Sequence, residues 1–412
     1  MKLNIEITQL TGELDKLAAF TDAPYPAVTR IVFSESDRRA REWLKRLCDD
    51  AELDVREDAV GNMFARWPGS DSTLGAVGTG SHTDAIPHSG RYDGTVGVLG
   101  GLEAIRALKE AGFQPRHSIE LLMFTSEEPT RFGIGCLGSR MLAGTLDPSV
   151  DDTYFDGSGR SLREIRTEAG FTGELATVPL TPGYYSAFVE LHIEQGPLLE
   201  ARNVGVGVVT AIAAPASVRV LIDGQGGHAG AVLMPDRHDA FMAAAEIALA
   251  LEASALATGA IDSVATTGIC ELFPAAVNSI PSNVNMAMDI RDVDEARRDG
   301  MLTELEAACA RISARRGVTA RIEIINRDSP AQCDARLIAA IQAACATHEM
   351  AFDSMVSRAY HDSLFMSRIC PAAMLFIPCK GGVSHRPEEY ASPEAIQQGV
   401  LVLAETLAAL AQ

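Results

Sequence analysis

The sequence has few positive charges for its length. Its 412 residues include 35 lysines and arginines against 55 aspartates and glutamates, which gives a formal net charge of −20. The cations are scattered along the chain, whereas a surface that follows nucleic-acid phosphates needs them clustered. The composition therefore argues against a nucleic-acid partner. An acidic total is otherwise normal for a soluble enzyme.

Segments typical of export or of a membrane span are also missing. Acidic residues interrupt the first twenty positions, where a signal peptide needs a basic end followed by an unbroken apolar run. The most apolar stretch, residues 241–260, is interrupted by Glu246 and Glu252, which favours a packed helix of a soluble protein. We therefore expect a cytoplasmic protein with no membrane partner.

The eight cysteines form no C-x-x-C pair, and most lie among small apolar residues. This is typical of buried, reduced thiols. The chain also lacks internal repeats and low-complexity tracts. What it does have is length and apolar content, since 47% of the residues are hydrophobic. Because one hydrophobic core seldom grows to fill such a length, the sequence predicts two domains.

The first predicted domain is built from strands and helices in alternation. From residue 36 to 140, amphipathic helices alternate with short apolar runs, as in parallel strands joined by helical crossovers. The same rhythm returns near the end of the chain. We predict an α/β catalytic domain with a mixed, mainly parallel sheet and helices on both faces, formed discontinuously by residues 1–213 and 331–412.

The second predicted domain is an insertion at residues 214–330. Here the strands alternate between apolar and polar residues, as in SVRVLI at 217–222 and VNMAMDI at 284–290. Two long helical segments separate them. Strands with one apolar and one polar face are typical of an antiparallel sheet that is covered on one face. We therefore predict an inserted α+β domain.

Residues able to bind a metal recur where successive predicted strands end. Taken singly, each has a simpler explanation as a helix cap, a solvated loop or a core histidine. Their recurrence is the informative feature, because ligands of open α/β sheets bind beyond the carboxyl ends of the strands. Three histidines with Asp and Glu can hold two ions such as Zn²⁺ or Mn²⁺ if one aspartate bridges them. These residues are His82, Asp93, Glu127, Glu128, His192 and His385.

The order and surroundings of these residues resemble the dinuclear metallo-amidohydrolases of the M20 peptidase superfamily, in particular its hydantoinase/carbamoylase branch. The resemblance covers essentially the whole chain. Within that branch, HTDAIPHSGRYDG, TAIAAPAS and RAYHDSLFM are most similar to the ureide-degrading members. The densest matches are GSHTDAIPHSGRYDGTVGVLGGLEAI, FTSEEPTRFGIGCLGSR, ELHIEQGPLLE, GGHAGAVLMPDRHDA, NSIPSN, AYHDSLFM and SHRPEEY.

The resemblance implies two divalent metal ions per subunit, Zn or Mn. One ion would be held by His82, Asp93 and His192, and the second by Asp93, Glu128 and His385, with Asp93 as the bridge. Such ions lower the pKa of a bound water, and a nearby carboxylate can take its proton.

Two further acidic residues acquire roles from the same resemblance. Glu127 matches the general base that takes a proton from the metal-bridging water and passes it to the leaving nitrogen. Asp84 would orient His82.

The resemblance also assigns substrate contacts. Arg291 matches a residue that binds the substrate carboxylate, whereas the residues alone favour a surface arginine that pairs with Asp289 or Asp292. His228 matches a residue that reaches the partner subunit's site and stabilises the developing oxyanion. This match implies a homodimer formed through the inserted domain. The same domain would also close over the substrate as a lid. The full set is Gln195, His228, Asn278, Arg291 and His361.

The implied activity is metal-dependent hydrolysis of a non-peptide C–N bond in a linear N-carbamoyl or ureido acid. A small carboxylate of the ureidoglycolate or allantoate type is the preferred substrate. The alternatives are an N-carbamoyl-L-amino acid hydrolase or β-ureidopropionase, and an aminopeptidase or deacylase. His192 disfavours the latter, because many peptidase relatives have a carboxylate there. A scaffold protein on a decayed hydrolase fold would predict gaps in the ligand set, and the set is complete.

Overall fold

A computed structural model describes residues 2–412 of the chain. These residues form two compact units. The first unit contains the chain up to Thr210 together with Cys333–Met355 and His361–Gln412. The second unit contains Ala211–Gln332 and Val356–Tyr360. The segment predicted as an insertion lies within the second unit.

Both units contain strands and helices. In chain order the strands are β1 (Val28–Arg30), β2 (Asp54–Glu57), β3 (Met63–Trp67), β4 (Ala76–His82), β5 (Ala85–Ser89), β6 (Ile119–Phe124), β7 (Tyr185–Ile193), β8 (Val206–Ile212), β9 (Ala214–Asp223), β10 (Gly227–His228), β11 (Val264–Phe273), β12 (Ser279–Ile280), β13 (Asn283–Asp292), β14 (Thr319–Arg327), β15 (Ala331–Gln332), β16 (Phe352–Ser357) and β17 (Ala372–Ile377). The helices are α1 (Ile7–Ala18), α2 (Glu35–Asp50), α3 (Thr95–Glu110), α4 (Leu137–Leu142), α5 (Val150–Thr153), α6 (Leu162–Glu168), α7 (Leu198–Arg202), α8 (Ala240–Ala257), α9 (Glu295–Arg316), α10 (Ala335–Thr347), α11 (Asp362–Met366) and α12 (Pro393–Leu410).

The first unit is organised around one sheet in the order β8-β17-β7-β4-β6-β3-β2, and β16 pairs with β8. The four central strands β17, β7, β4 and β6 are parallel. The flanking strands β8, β3 and β2 are antiparallel to their neighbours. The predicted mixed sheet with a parallel centre is confirmed. The strands β2, β3 and β8, and the helix α1, were not among the predicted elements.

Helices bury both faces of this sheet. Along β6, Leu121 points into a core shared with α1, α2, α3, α10 and α12. The next residue, Leu122, points into a core shared with α4, α6 and α11. Because successive side chains of a strand point to opposite faces, a strand buried on both sides must be apolar throughout, as IELLMF largely is.

A glycine brings α3 close to the sheet. A β-carbon on Gly97 would overlap the carbonyl oxygen of Leu191 on β7 and the side chain of Ser81 on β4. Glycine is therefore required for the first turn of α3 to lie against these strands. This close approach places the residues just before α3, including Asp93, at the carboxyl ends of β4 and β7.

The second unit is a four-stranded antiparallel sheet in the order β11-β13-β9-β14. Alternate residues of β9 and β13 are buried beneath α8 and α9, as the two-faced sequence predicts. A short ribbon of β10 and β12 lies in the same unit. The predicted α+β architecture of this segment therefore agrees with the described strands and helices.

The helix α8 is long and apolar enough to cross a membrane by length and composition, with a mean hydropathy of 1.6. Within the second unit, however, its residues Ala243, Ile247 and Leu251 are buried against the sheet. A core helix of a soluble protein meets the same criterion. We therefore interpret α8 as a packed helix.

Candidate active site

The parallel strands bring the predicted metal ligands to one edge of the sheet. His82 is the last residue of β4, and His192 precedes the last residue of β7. Glu127 and Glu128 follow β6, and His385 follows β17. Parallel strands place their carboxyl ends at the same edge, so four separate segments contribute to one cluster.

The first donor group joins β4, β7 and the start of α3. The Nε2 atoms of His82 and His192 lie 3.4 and 3.2 Å from Oδ1 of Asp93. Nδ1 of His82 faces the carbonyl of Asp84 at 3.1 Å, and Nδ1 of His192 faces the carbonyl of Ile193 at 2.9 Å. In the neutral rings each Nδ1 donates to its carbonyl, which leaves Nε2 with a lone pair directed at the Asp93 side.

The second donor group shares Asp93. Its Oδ2 atom lies 3.2 Å from Nε2 of His385, and that nitrogen lies 3.3 Å from Oε1 of Glu128. The two carboxylate oxygens of Asp93 therefore face different groups. A carboxylate in this position can bridge two cations.

The site combines dense negative charge with burial. Burial, followed by the charge of Asp93, raises the pKa of Glu128 to about 7. Burial is likewise the largest cause of the raised pKa of Glu127, to which the charge of Glu128 adds while His82 opposes it. The hydrogen bond to Asp93 raises the pKa of His385 to about 9. Neighbouring buried carboxylates repel one another, and a bound cation would relieve that repulsion.

Three loops at the site hold a non-glycine residue in left-handed backbone geometry. The φ angles are 56° at Ser126, 56° at Gln195 and 58° at His385. Each such residue costs about 1 kcal/mol relative to an ordinary conformation. The left-handed residues turn the chain sharply next to Glu127 and at His385.

The carboxylate of Asp84 has a role that was not expected. Its two oxygens accept the backbone N–H groups of Glu127 and Glu128 at 3.2 and 3.0 Å. The group nearest to Nδ1 of His82 is instead the backbone carbonyl of Asp84, since its carboxylate lies 3.7 Å away. The backbone of Asp84 therefore contacts the ring of His82, while its side chain is bonded to the loop of Glu127 and Glu128.

Glu127 lies beside the donor groups. Its Oε2 atom is 3.7 Å from Nε2 of His82, and its Oε1 atom is 3.7 Å from Sγ of Cys136. The backbone N–H of Cys136 also donates to the carbonyl of Glu127 at 2.8 Å. The carboxyl group is therefore buried next to the first donor group.

A third possible ligand group, formed by Glu190, His192 and His361, overlaps the first. Glu190 already accepts hydrogen bonds from the hydroxyls of Ser81 and Ser363 at 2.7 and 2.6 Å. Nδ1 of His192 is engaged by a carbonyl, and its Nε2 faces the first group. We therefore interpret Glu190 as a structural residue whose hydrogen bonds connect β7 to β4 and α11.

Two predicted substrate contacts lie next to the donor groups. The amide nitrogen of Gln195 donates to Oδ2 of Asp93 at 2.7 Å, and its Oε1 atom is buried without a hydrogen-bond partner. The ring of His361 is buried, with its centroid 4.5 Å from that of His192. The unpaired amide oxygen of Gln195 is available to accept an N–H group.

The other three predicted contacts belong to the second unit. His228 is exposed and pairs in register with Ser279, next to Asn278. Nε of Arg291 donates to Oδ1 of Asp289 at 2.6 Å. One of the two roles left open by the sequence, pairing with Asp289, is therefore present in the described structure.

Two residues at the site were missed by the sequence analysis. Ser384 donates to Oδ2 of Asp93 at 2.9 Å, and Glu389 accepts the backbone N–H of Asp93 at 3.1 Å. Both lie within SHRPEEY, the segment that carries His385. The signal for Glu389 was the acidic pair Glu388-Glu389, three and four residues after His385.

The donor chemistry fits a divalent metal. Imidazole nitrogens with mixed carboxylate oxygens suit zinc, manganese and similar ions, and the two groups each place three ligand atoms within 4.8 Å of one another. An α/β sheet with these donor groups at its carboxyl edge is typical of a metal-dependent enzyme.

Comparison with known proteins identifies the family. Peptidase family M20/M25/M40 matches residues 78–409. The chain therefore belongs to this family of metal-dependent hydrolases and is itself an enzyme of the family. The resemblance to M20 amidohydrolases that the sequence indicated is therefore confirmed.

The relatives are similar over nearly their full length. A ureidoglycolate hydrolase of Oryza sativa subsp. japonica is 53% identical over 97% of this chain and 84% of its own. An N-carbamoyl-L-amino acid amidohydrolase of Geobacillus stearothermophilus is 36% identical over 99% of each chain. The crystal structure of AtUAH in complex with (S)-hydroxyglycine has a TM-score of 0.91 at 50% identity, covering 99% of this chain and 98% of that one.

Proposed function

We propose that the chain hydrolyses a linear ureido acid, with ureidoglycolate preferred and allantoate next. The carrying observation is the shared Asp93, whose two oxygens face two separate donor groups. The high identity to a ureidoglycolate hydrolase supports the substrate class, and the complex of AtUAH with a small carboxylate, (S)-hydroxyglycine, supports its size. We further propose that the enzyme acts in the cytoplasm.

Two divalent ions per subunit, Zn or Mn, fit the donor groups. His82, Asp93 and His192 would hold one ion, while Asp93, Glu128 and His385 would hold the other. When bound, the ions would polarise the carbamoyl carbonyl and lower the pKa of an adjacent water.

Glu127 acts as the general base and then as the acid. Its buried carboxylate lies beside the first donor group and takes a proton from the attacking water. The water oxygen bonds to the carbamoyl carbon, the C–N bond breaks, and the same proton passes to the leaving nitrogen. The raised pKa of Glu127 suits a group that must both accept and release a proton.

Substrate recognition uses complementary hydrogen bonds. The unpaired Oε1 of Gln195 accepts a ureido N–H, and His361 lies next to the same donor group. Arg291 binds the substrate carboxylate, with Asn278 as a further polar contact. His228 stabilises the developing oxyanion in the partner subunit's site.

Arg291→Lys should raise KM for acid substrates by about 10- to 100-fold, because a hydrogen bond to a charged group contributes about 1.5 to 3 kcal/mol. Steady-state kinetics with ureidoglycolate measure the effect. Arg321→Lys is the matched control, since Arg321 is a highly exposed arginine of the same sheet. An unchanged kcat/KM for Arg291→Lys would remove its assigned role.

We propose a homodimer formed through the second unit. β11 is an edge strand that exposes Ile269 and Phe273, and α8 exposes Leu249 and Leu256. Long apolar edge strands pair with other chains unless they are protected. The opposite edge, β14, carries charged residues between its apolar ones. The apolar edge formed by β11 is therefore the better dimer surface.

Ile269→Asp should weaken dimerisation by about 30-fold or more, the effect of losing one central interface side chain. Light scattering after size-exclusion chromatography measures the mass over a range of concentrations. Ile325→Asp is the matched control, because Ile325 is 54% exposed on β14 and Ile269 is 52% exposed on β11. A monomeric wild type, or an Ile269→Asp protein that stays dimeric, would contradict this surface.

A substrate panel tests the proposed activity. Ammonia release is measured from ureidoglycolate, allantoate, N-carbamoyl-β-alanine and N-carbamoyl-L-amino acids, with Mn²⁺ or Zn²⁺ supplied. We expect the highest kcat/KM with ureidoglycolate. The second candidate function, hydrolysis of N-carbamoyl-L-amino acids, is favoured by the 36% identical Geobacillus relative and would appear as a reversed preference. Cleavage of peptides alone would reject both.

A further inference from the structure

Glu389 is a buried carboxyl group outside the proposed chemistry. Its exposed fraction is only 4%. Its Oε1 atom accepts the backbone N–H groups of Tyr92 and Asp93 at 2.7 and 3.1 Å. The side chain therefore joins the loop that carries His385 to the loop that carries Asp93.

Ser384 connects the same two loops through side chains. Its hydroxyl oxygen lies 2.9 Å from Oδ2 of Asp93 and 3.0 Å from Oε2 of Glu389. Gln195 donates to the same Oδ2 atom at 2.7 Å. Two donors thus fix the rotation of the Asp93 carboxylate, with Oδ2 toward His385 and Oδ1 toward the first donor group.

The Glu389 side chain also packs tightly against Gly90. A β-carbon on Gly90 would overlap the Cβ, Cδ and Oε1 atoms of Glu389. The backbone before Asp93 can therefore lie against the Glu389 side chain only because residue 90 is glycine. This close approach is independent of the hydrogen bonds, and it indicates that the two loops are built around the buried carboxyl group.

We propose that Glu389 and Ser384 are positioning residues that hold Asp93 in its bridging orientation. Glu389 fixes the backbone of Asp93, and Ser384 fixes its side chain. Without them the carboxylate can rotate away from His385, and the group formed by Asp93, Glu128 and His385 then loses a shared ligand. Partners that orient a ligand typically change metal affinity by about 10- to 100-fold. The inference rests on the proposed two-metal site.

The test measures metal binding rather than turnover. The metal-free protein is titrated with Mn²⁺ against a chelator of known affinity, and paramagnetic resonance follows the signal of a coupled Mn²⁺ pair. Glu389→Ala should weaken the second Mn²⁺ by about 10- to 100-fold and abolish the coupled signal. Glu389→Gln should retain most of the affinity, because an amide oxygen still accepts both N–H groups. Ser384→Ala should weaken the second ion as well.

Two further variants separate positioning from simple loss of charge or fold. Gly90→Ala keeps the carboxyl group but displaces it, and should resemble Glu389→Ala. Glu388→Ala removes a neighbouring exposed carboxylate that pairs with Arg386, and should bind both ions normally. Thermal unfolding in excess chelator should be similar for wild type and Glu389→Gln.

The outcomes distinguish this inference from the proposed function. A wild type that binds fewer than two ions would contradict the two-metal site itself. If the wild type binds two ions and Glu389→Ala binds them equally tightly with an unchanged coupled signal, the positioning role is wrong. It is also wrong if Glu389→Gln fails to restore binding and unfolds earlier in chelator, because the residue would then only support the fold.

Discussion

Glu127→Gln should lower kcat by about 100- to 10,000-fold while the protein keeps its metal. General acid–base catalysis contributes about this much, and the amide can neither take a proton from water nor return it to the leaving nitrogen. The substitution preserves the size of a side chain packed against Cys136 and His82. Metal content and turnover of ureidoglycolate, measured on the same sample, check this result.

The matched control is Glu388→Gln, at an exposed carboxylate near His385. It should leave both kcat and metal content unchanged. A Glu127→Gln protein with near-normal kcat would reject Glu127 as the base. A variant that loses its metal together with its activity would instead show that Glu127 acts as a ligand.

Asp93→Asn should have a different and comparably large effect, namely loss of the metal pair. An asparagine amide offers one oxygen and one NH2 group, so it cannot present an oxygen lone pair to the His192 side and the His385 side at once. It also removes the negative charge that the two donor groups share. We expect at most one tightly bound ion and a fall in kcat/KM of about 1,000-fold, equal to about 4 kcal/mol.

Metal analysis after dialysis and kinetics at saturating Mn²⁺ are the measurements for Asp93→Asn. Asp151→Asn is a useful control for loss of a buried carboxylate, because Asp151 pairs with Arg166 away from the donor groups. That variant should lose stability without losing an ion selectively. Two ions bound at wild-type affinity in Asp93→Asn would contradict the bridging role.

Much of the fold follows from the apolar pattern. The runs around Leu121 and Leu191 are apolar at most positions, which predicts strands buried on both faces, and the structure has them at the centre of the sheet. The alternation in β13 likewise predicts a sheet covered on one face. Strand β2 was missed, because its residues Asp54–Glu57 are charged or partly exposed and its pairing depends on β3.

The candidate site was predictable in its residue types but not in its finer contacts. Histidines and carboxylates at successive strand ends predict a cluster once parallel order is assumed. The hydrogen bonds from Glu127 and Glu128 to Asp84 use backbone N–H groups, which every residue except proline has, so no sequence pattern marks them. The hydrogen bond between Glu389 and the backbone of Asp93 joins residues 296 positions apart, and only the folded structure brings the two together.

The most direct test of the two-metal account is a titration of the metal-free enzyme with Mn²⁺ while ureidoglycolate turnover is followed. The account predicts little activity without metal and a rise that ends at two equivalents per chain, in keeping with the two donor groups that share Asp93. Full activity in the thoroughly chelated protein, or a plateau at one equivalent with no change on adding the second, would contradict it.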